Sequence, residues 1–471
     1  MRVRALWAAA FMALPFCAFA QGASKGIPQE IIVTPLSQIS ADAVGLISAQ
    51  SAGLPSDFWG TLDADQIKGL ITIQRPRLPE ARALLQRIMI AELSPTLGAS
   101  DGAQVLIARL DYLMSIGALD AVEALLNKAQ PNTAALFAHW FDAKLLLTRP
   151  LEACAPLLGS SSIAHDLATR IYCLAQNQDW FTAYLTLETG RELGLITPEI
   201  AELLALFLDP ERLDSQAPPA AGSFASPLEF TLREALALAR PSKGATLAQL
   251  HLDLDDSAGW LQQLRAAERL ARTGALPMRY LADVYQNGRA SASGGVWERV
   301  RALASLRRSL TQNNPAQTCQ DLDHAWETLA AVDLETFLAD TYGERLATMN
   351  LPECTDLQIN IILLHQNFRA LLFDLIQTLP QSDIRHALVA HEFSSITGQT
   401  PLQRAVLRAF DAERSNIVSP AEALLRALAA VNEGVGSDPL AVQRLLEILL
   451  DLGYQEEAYR FALEFVILER T

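Results

Sequence analysis

The chain has 471 residues, half of them hydrophobic and 19% charged, with a formal net charge of −16. Such a composition buries a large core and excludes a disordered chain; the length suits two or three domains or one extended array. The negative field repels phosphate backbones and anionic lipid, which argues against nucleic acid as a partner.

The N-terminus, MRVRALWAAAFMALPFCAFAQG, places Arg2 and Arg4 before an apolar stretch from Ala5 to Ala18 and closes on Ala18-Phe19-Ala20. A basic start, a short apolar middle and a small-x-small end describe a secretory signal peptide, expected to be cleaved after Ala20. The apolar core is short for an uncleaved anchor. Pro15-Phe16 stand before Cys17, where a lipoprotein signal has small residues. The expected address is therefore the periplasm. Beyond this segment no apolar run reaches the roughly 18 residues a membrane helix needs.

Residues 21–36 are rich in Gly, Pro, Ser and Gln and read as an irregular mature N-terminus. From residue 37 the pattern is helical, and the expected class is all-α. In Leu78–Leu93 apolar residues recur at spacings of 3 and 4, and Ser257–Gly274 does the same and ends on a glycine suited to a C-cap. Ser226-Pro227-Leu228-Glu229 and Ser419-Pro420-Ala421-Glu422 read as capping boxes with proline in the first turn, and Thr197-Pro198-Glu199 as a related start. Alternating β-branched runs are missing. The compositional break Asp214–Pro227 divides an N-terminal array, 37–213, from a C-terminal array, 228–471, as a linker or a long surface loop.

Export changes how the cysteines read. Cys154, Cys173, Cys319 and Cys354 are an even set in an oxidising compartment, with three possible connectivities. The sequence-local one, Cys154–Cys173 and Cys319–Cys354, would staple two separate helical hairpins, each worth about 3–4 kcal/mol on the chain-entropy model. Four buried free thiols are the competing reading.

The last hairpin pairs PLAVQRLLEILLDLG (Pro439–Gly453) with a second helix running to Ile467. Leu445, Leu446 and Leu449 in the first helix and Ala458, Phe461, Ala462 and Phe465 in the second are its expected core. Glu456, Glu457, Arg460 and Glu464 form the expected polar face. Gly453 followed by Ala458 resembles the step between the two helices of a tetratricopeptide repeat. Leu110–Ala129, turning at Gly117, and Ile171–Gly190, turning at Asn177, are similar; LPMRYLADVYQNG (Leu276–Gly288) resembles the first helix of a Sel1-type unit. The resemblance implies an extended array of antiparallel hairpins, a divergent α-solenoid. It implies architecture only, because such folds host many functions.

Motifs that carry chemistry are weak. His386 and His391 lack the i, i+4 spacing of a helical zinc pair. HLDLDDS (His251–Ser257) lacks the glycine and the glutamate that a calcium loop needs at its sixth and twelfth positions. The general-acid segment of a lytic transglycosylase is not found, nor are the Walker A, G-x-G-x-x-G and nucleophile-elbow patterns. No catalytic, cofactor or metal residue is assigned. Trp59, Trp140, Trp180, Trp260, Trp297 and Trp326 do not cluster in sequence; most are expected to anchor the core, and one or two to line a groove.

These features lead to an expected function as a non-catalytic periplasmic scaffold or adaptor. It would bind another envelope protein or peptide through a concave surface, with the acidic surface favouring a basic segment. The alternatives are a glycan- or lipid-binding envelope protein, which needs exposed aromatics grouped in one cleft, and an enzyme of unrecognised type. N-terminal sequencing of the exported protein should begin at Gln21; a chain retaining Met1–Ala20 would overturn the signal-peptide assignment.

Overall fold

The computed structural model describes residues 40–469 apart from 97–101, 160–162, 165, 215–216, 218, 221–225, 240–244, 256, 372–377, 394–395 and 397. The signal peptide, the segment 21–36 and most of 214–227 lie outside the described residues.

The fold is all-α. The first helices are α1 (Ala64–Thr72), α2 (Pro79–Ile90), α3 (Gln104–Ile116), α4 (Leu119–Ala129), α5 (Ala134–Leu146), α6 (Pro150–Gly159), α7 (Leu167–Gln176), α8 (Trp180–Glu192), α9 (Pro198–Leu208) and α10 (Pro227–Ala235). After a 3₁₀ segment at Ala248–Leu254 come α11 (Trp260–Arg272), α12 (Met278–Gln286), α13 (Val296–Gln312), α14 (Pro315–Ala330), α15 (Glu335–Ala347) and α16 (Thr355–Leu363). The last are α17 (Phe368–Leu371), α18 (Ile384–Ala390), α19 (Pro401–Asp411), α20 (Pro420–Ala430), α21 (Pro439–Asp451) and α22 (Gln455–Leu468). The described strands are β1 (Ile47–Ser48) and β2 (Ala91–Glu92), a two-residue parallel pair. Among the described residues no helix is long and apolar enough to cross a membrane.

Helix signals act where they are local. Ser226 accepts the Glu229 N–H at 3.1 Å. Gly117 and Gly274 end α3 and α11 in the left-handed conformation that glycine tolerates. Ser419 and Thr197 correct the sequence reading, since neither side chain makes the expected cap bond although proline follows each.

Consecutive helices pack on one another, most closely α13 with α14, α7 with α8, α15 with α16 and α20 with α21. The cores do not divide at 214–227. One core takes in residues from Ala52 to Leu252 and resumes from Ile359 to Ile467, while a second spans Leu250 to Ile361. The C-terminal helices therefore belong to the same core as the N-terminal ones, and α1 and α2 pack on α20 and α22. Gln74 Nε2 donates to Leu425 O at 2.8 Å, and Asn432 takes the Arg75 N–H at 2.8 Å while donating to Ile73 O at 3.0 Å. Hydrophobic periodicity does not report this return of the chain on itself, because it marks the apolar face of a helix and not the distant helix that covers it.

The cysteines form two disulfides, Cys154–Cys173 between α6 and α7, and Cys319–Cys354 from α14 to the start of α16. Arg109 of α3 is fully buried. It donates to Met89 O (2.6 Å), Val44 O (2.8 Å) and Ala91 O (3.0 Å), tying β1 and β2 to the helical body. Asp42 accepts the Leu106 N–H at 2.8 Å and so supplies the cap that Ala103, the residue before α3, cannot.

In the last hairpin Leu445, Leu446, Leu449, Ala458, Phe461, Ala462 and Phe465 are all fully buried. The expected polar face of α22 needs correction. Glu464 is buried and Glu457 half-buried, because α2 lies against that face. Phe461→Ala should destabilise by about 3–5 kcal/mol and Ala458→Leu by about 1–3 kcal/mol in denaturant melts. Parent-like melting of both variants would show that α22 does not pack as described.

Candidate functional site

Two places stand out from the packed helices: an uncovered aromatic face on α8 and a polar hollow at the start of α2.

Helix α8 begins after Asp179, whose carboxylate accepts the Thr182 N–H at 3.3 Å. Only Ala183, Leu187 and Gly190 are buried, one stripe at spacings of four and three. Gly190 permits a close approach, since a Cβ there would meet Leu167 at 2.6 Å and Ile196 at 2.8 Å. Beside that stripe the apolar side chains near the start of the helix are uncovered. Trp180 is 49% exposed, Phe181 79%, Tyr184 55% and Leu185 55%, followed by Leu193 and Leu195. Trp180, Phe181 and Tyr184 line a groove of about 680 Å³ whose far wall is Ala205 and Leu208 of α9. A second hollow of about 650 Å³ adjoins it at Leu195, Ile196 and Pro198.

The groove rim is charged but largely self-paired. Arg191 donates to Glu202 at 3.2 Å and to Glu188 at 3.5 Å, and Arg212 lies 4.0 Å from Glu202. From Asp179 to Asp214 the chain carries eight carboxylates against two arginines. The Cys154–Cys173 disulfide holds α7, on which α8 rests, against α6.

The polar hollow is built by the closure of the chain. Leu78 cannot cap α2, and Pro79 occupies the first turn. The exposed N–H of Glu80 is taken instead by both carboxyl oxygens of Glu464, at 3.0 Å each. Glu80 itself pairs with Arg460 at 3.2 Å, and Arg87 pairs with Glu457 at 2.9 Å. Burial, with Glu80 adding repulsion, pushes the Glu464 carboxyl up to about 8. Burial also raises Glu80 and lowers Arg82, and partial desolvation raises Asp340, whose side chain still reaches solvent. Arg82, Thr336, Asp340 and Glu464 line a cavity of about 340 Å³.

Other charged clusters are occupied structurally. Glu268 takes two hydrogen bonds from Arg299, at 2.8 and 2.6 Å, and one from Tyr285 at 2.7 Å, so both of its oxygens are engaged inside the second core. Lys144 is held between Glu123 and Glu152 with its ammonium 4.6 Å from the Trp140 ring. His386 lies within α18; His391 ends that helix in the left-handed conformation with its ring 4.1 Å from Tyr459. His251 bonds Gly117 O at 2.6 Å, so that the HLDLDDS segment serves the packing against α3. Trp59 is buried against Phe58, while Trp260 packs 5.1 Å from Trp297 and donates to Val284 O.

Neither place was singled out by sequence. The signal for α8 was present, because WFTAYLTLETG is apolar around most of its circumference and only one stripe can face a neighbour. No signal marks Glu464, which reads as an ordinary polar-face residue. No protein-family model, curated protein or solved structure matches this chain, and the site is read from its geometry.

The sign of the pH dependence follows from Glu464. Its folded value of about 8 exceeds the unfolded value near 4.5, so its stabilising proton is fully held below the unfolded value. That contribution is lost as pH rises towards 8, at up to about 1.4 kcal/mol per pH unit. Denaturant melts from pH 5 to 8 should show stability falling, and Glu464→Gln should make the slope shallower. An unchanged slope in the variant would remove Glu464 from the account.

Proposed function

We propose that the protein is an exported, non-catalytic helical scaffold that docks a segment of another cell-envelope protein on the α8–α9 face. The carrying observation is the uncovered run Trp180, Phe181, Tyr184 and Leu185 beside a groove. Contiguous aromatic and leucine surface is what protein interfaces bury at their centres. The excess of carboxylates around it favours a segment whose apolar anchors are flanked by lysine or arginine. The signal-peptide pattern supports export, and two disulfides suit an oxidising compartment.

The grouping of three aromatics in one groove also suits a glycan platform. The leucines beside the rings weigh against it, because sugar hydroxyls need hydrogen-bonding groups where these side chains stand.

Immobilised mature chain should retain an envelope protein that binds a purified copy directly. Phe181→Ala with Tyr184→Ala should weaken that binding by about 10–100-fold. Because both side chains are exposed, melting should shift by less than about 0.5 kcal/mol. Equal binding by the double variant would refute the assigned face. Saturation of the groove by cell-wall glycan fragments would replace the protein partner with a sugar.

A further inference from the structure

Arg82 stands where two hollows meet. One, of about 280 Å³, is walled by the Gly434–Gly436 turn; the other, of about 340 Å³, lies between α2, α12, α15 and α22. Among the described residues the Arg82 guanidinium makes no hydrogen bond or ion pair and feels Glu464 and Asp333 only as charges at a distance. Asp340 is in the same position, influenced by His365 and Arg460 without bonding either. Thr336 and Asp340 lie one turn apart on α15, so both face the cavity shared with Arg82 and Glu464. The adjoining wall is apolar, with Leu276 and Met278.

This arrangement sets the charge of an occupant. A plain anion would satisfy Arg82 but face the Asp340 carboxylate; Glu464 keeps its proton below about pH 8, and Glu80 and Arg460, which also line the cavity, pair with each other. A plain cation would reverse the conflict. A guanidinium and a hydroxyl suit a carboxylate, while the Asp340 carboxylate suits an ammonium. The apolar wall suits an aliphatic side chain, and the volume lies at the lower end of small-molecule sites.

We infer that the cavity between α2, α15 and α22 binds a small zwitterion, a free α-amino acid with an apolar side chain. Its carboxylate meets Arg82 and Thr336, and its ammonium meets Asp340. The site is separate from the α8–α9 face and shares no lining residue with its groove.

Titration calorimetry of the mature chain with L-leucine and L-methionine tests this. The controls are 4-methylvalerate, which lacks the ammonium, and isoamylamine, which lacks the carboxylate. At least one amino acid should bind saturably, with both controls weaker by about tenfold or more. At about 100 times its dissociation constant it should raise the melting temperature by about 3 °C. Asp340→Asn and Arg82→Gln should each weaken binding by about tenfold or more. Thr336→Val replaces either variant that fails to fold, with weaker binding again expected. Neither amino acid binding up to about 10 mM would overturn the inference. So would equal binding of either control, or binding that the folded variants leave unchanged.

Discussion

The contact between Glu464 and the first turn of α2 is the constraint on which the rest depends. A helix presents unsatisfied N–H groups at its start, and the residue before α2 is a leucine with no side-chain acceptor. A carboxyl from α22, 384 residues further on, accepts the Glu80 N–H. Burial of that carboxyl is unfavourable by itself; the N–H, the positive end of the helix and nearby Arg82 and Arg460 offset it. Asp42 plays the same part for α3 across a shorter span. Helix starts that lack a local cap thus become points where distant segments must dock.

Closure explains the distribution of the cores. Since α1 and α2 pack on α20 and α22, the N-terminal and C-terminal helices share one core, and the helices around residues 264–351 build a second. Polar contacts fix the closing register: Gln74 to Leu425, Asn432 to Ile73 and Arg75, and Arg87 to Glu457. Apolar packing tolerates sliding better than hydrogen bonds do, so such bonds determine which turn of α22 meets which turn of α2. The same closure encloses the cavity at Arg82.

On α8, packing leaves something over. A helix with apolar residues on more than one face can bury only the stripe its neighbours cover. Helices α7 and α9 cover Ala183, Leu187 and Gly190, Phe207 of α9 covers part of Trp180, and no described element covers Phe181 or Tyr184. Six exposed apolar side chains in the short span 180–195 make a surface unlike the rest of this acidic molecule.

What the sequence alone determined is what neighbouring residues decide together. The 3.6-residue period fixed the all-α class and the inward faces of α21 and α22, down to Ala458, Phe461 and Phe465. Proline and serine marked the start of α10, and glycine the ends of α3 and α11. The disulfides join cysteines only 19 and 35 residues apart, a pairing sequence proximity already favoured. Tertiary structure alone decided the rest. Glu464 has the chemistry of a solvent-facing residue, and only the arrival of α2 desolvates it. Trp180 and Phe181 have the chemistry of core residues, and they are exposed because no described helix covers them fully. Periodicity tells which side chains share a face of a helix. Whether that face meets water or protein depends on contacts hundreds of residues away, and no local pattern encodes them.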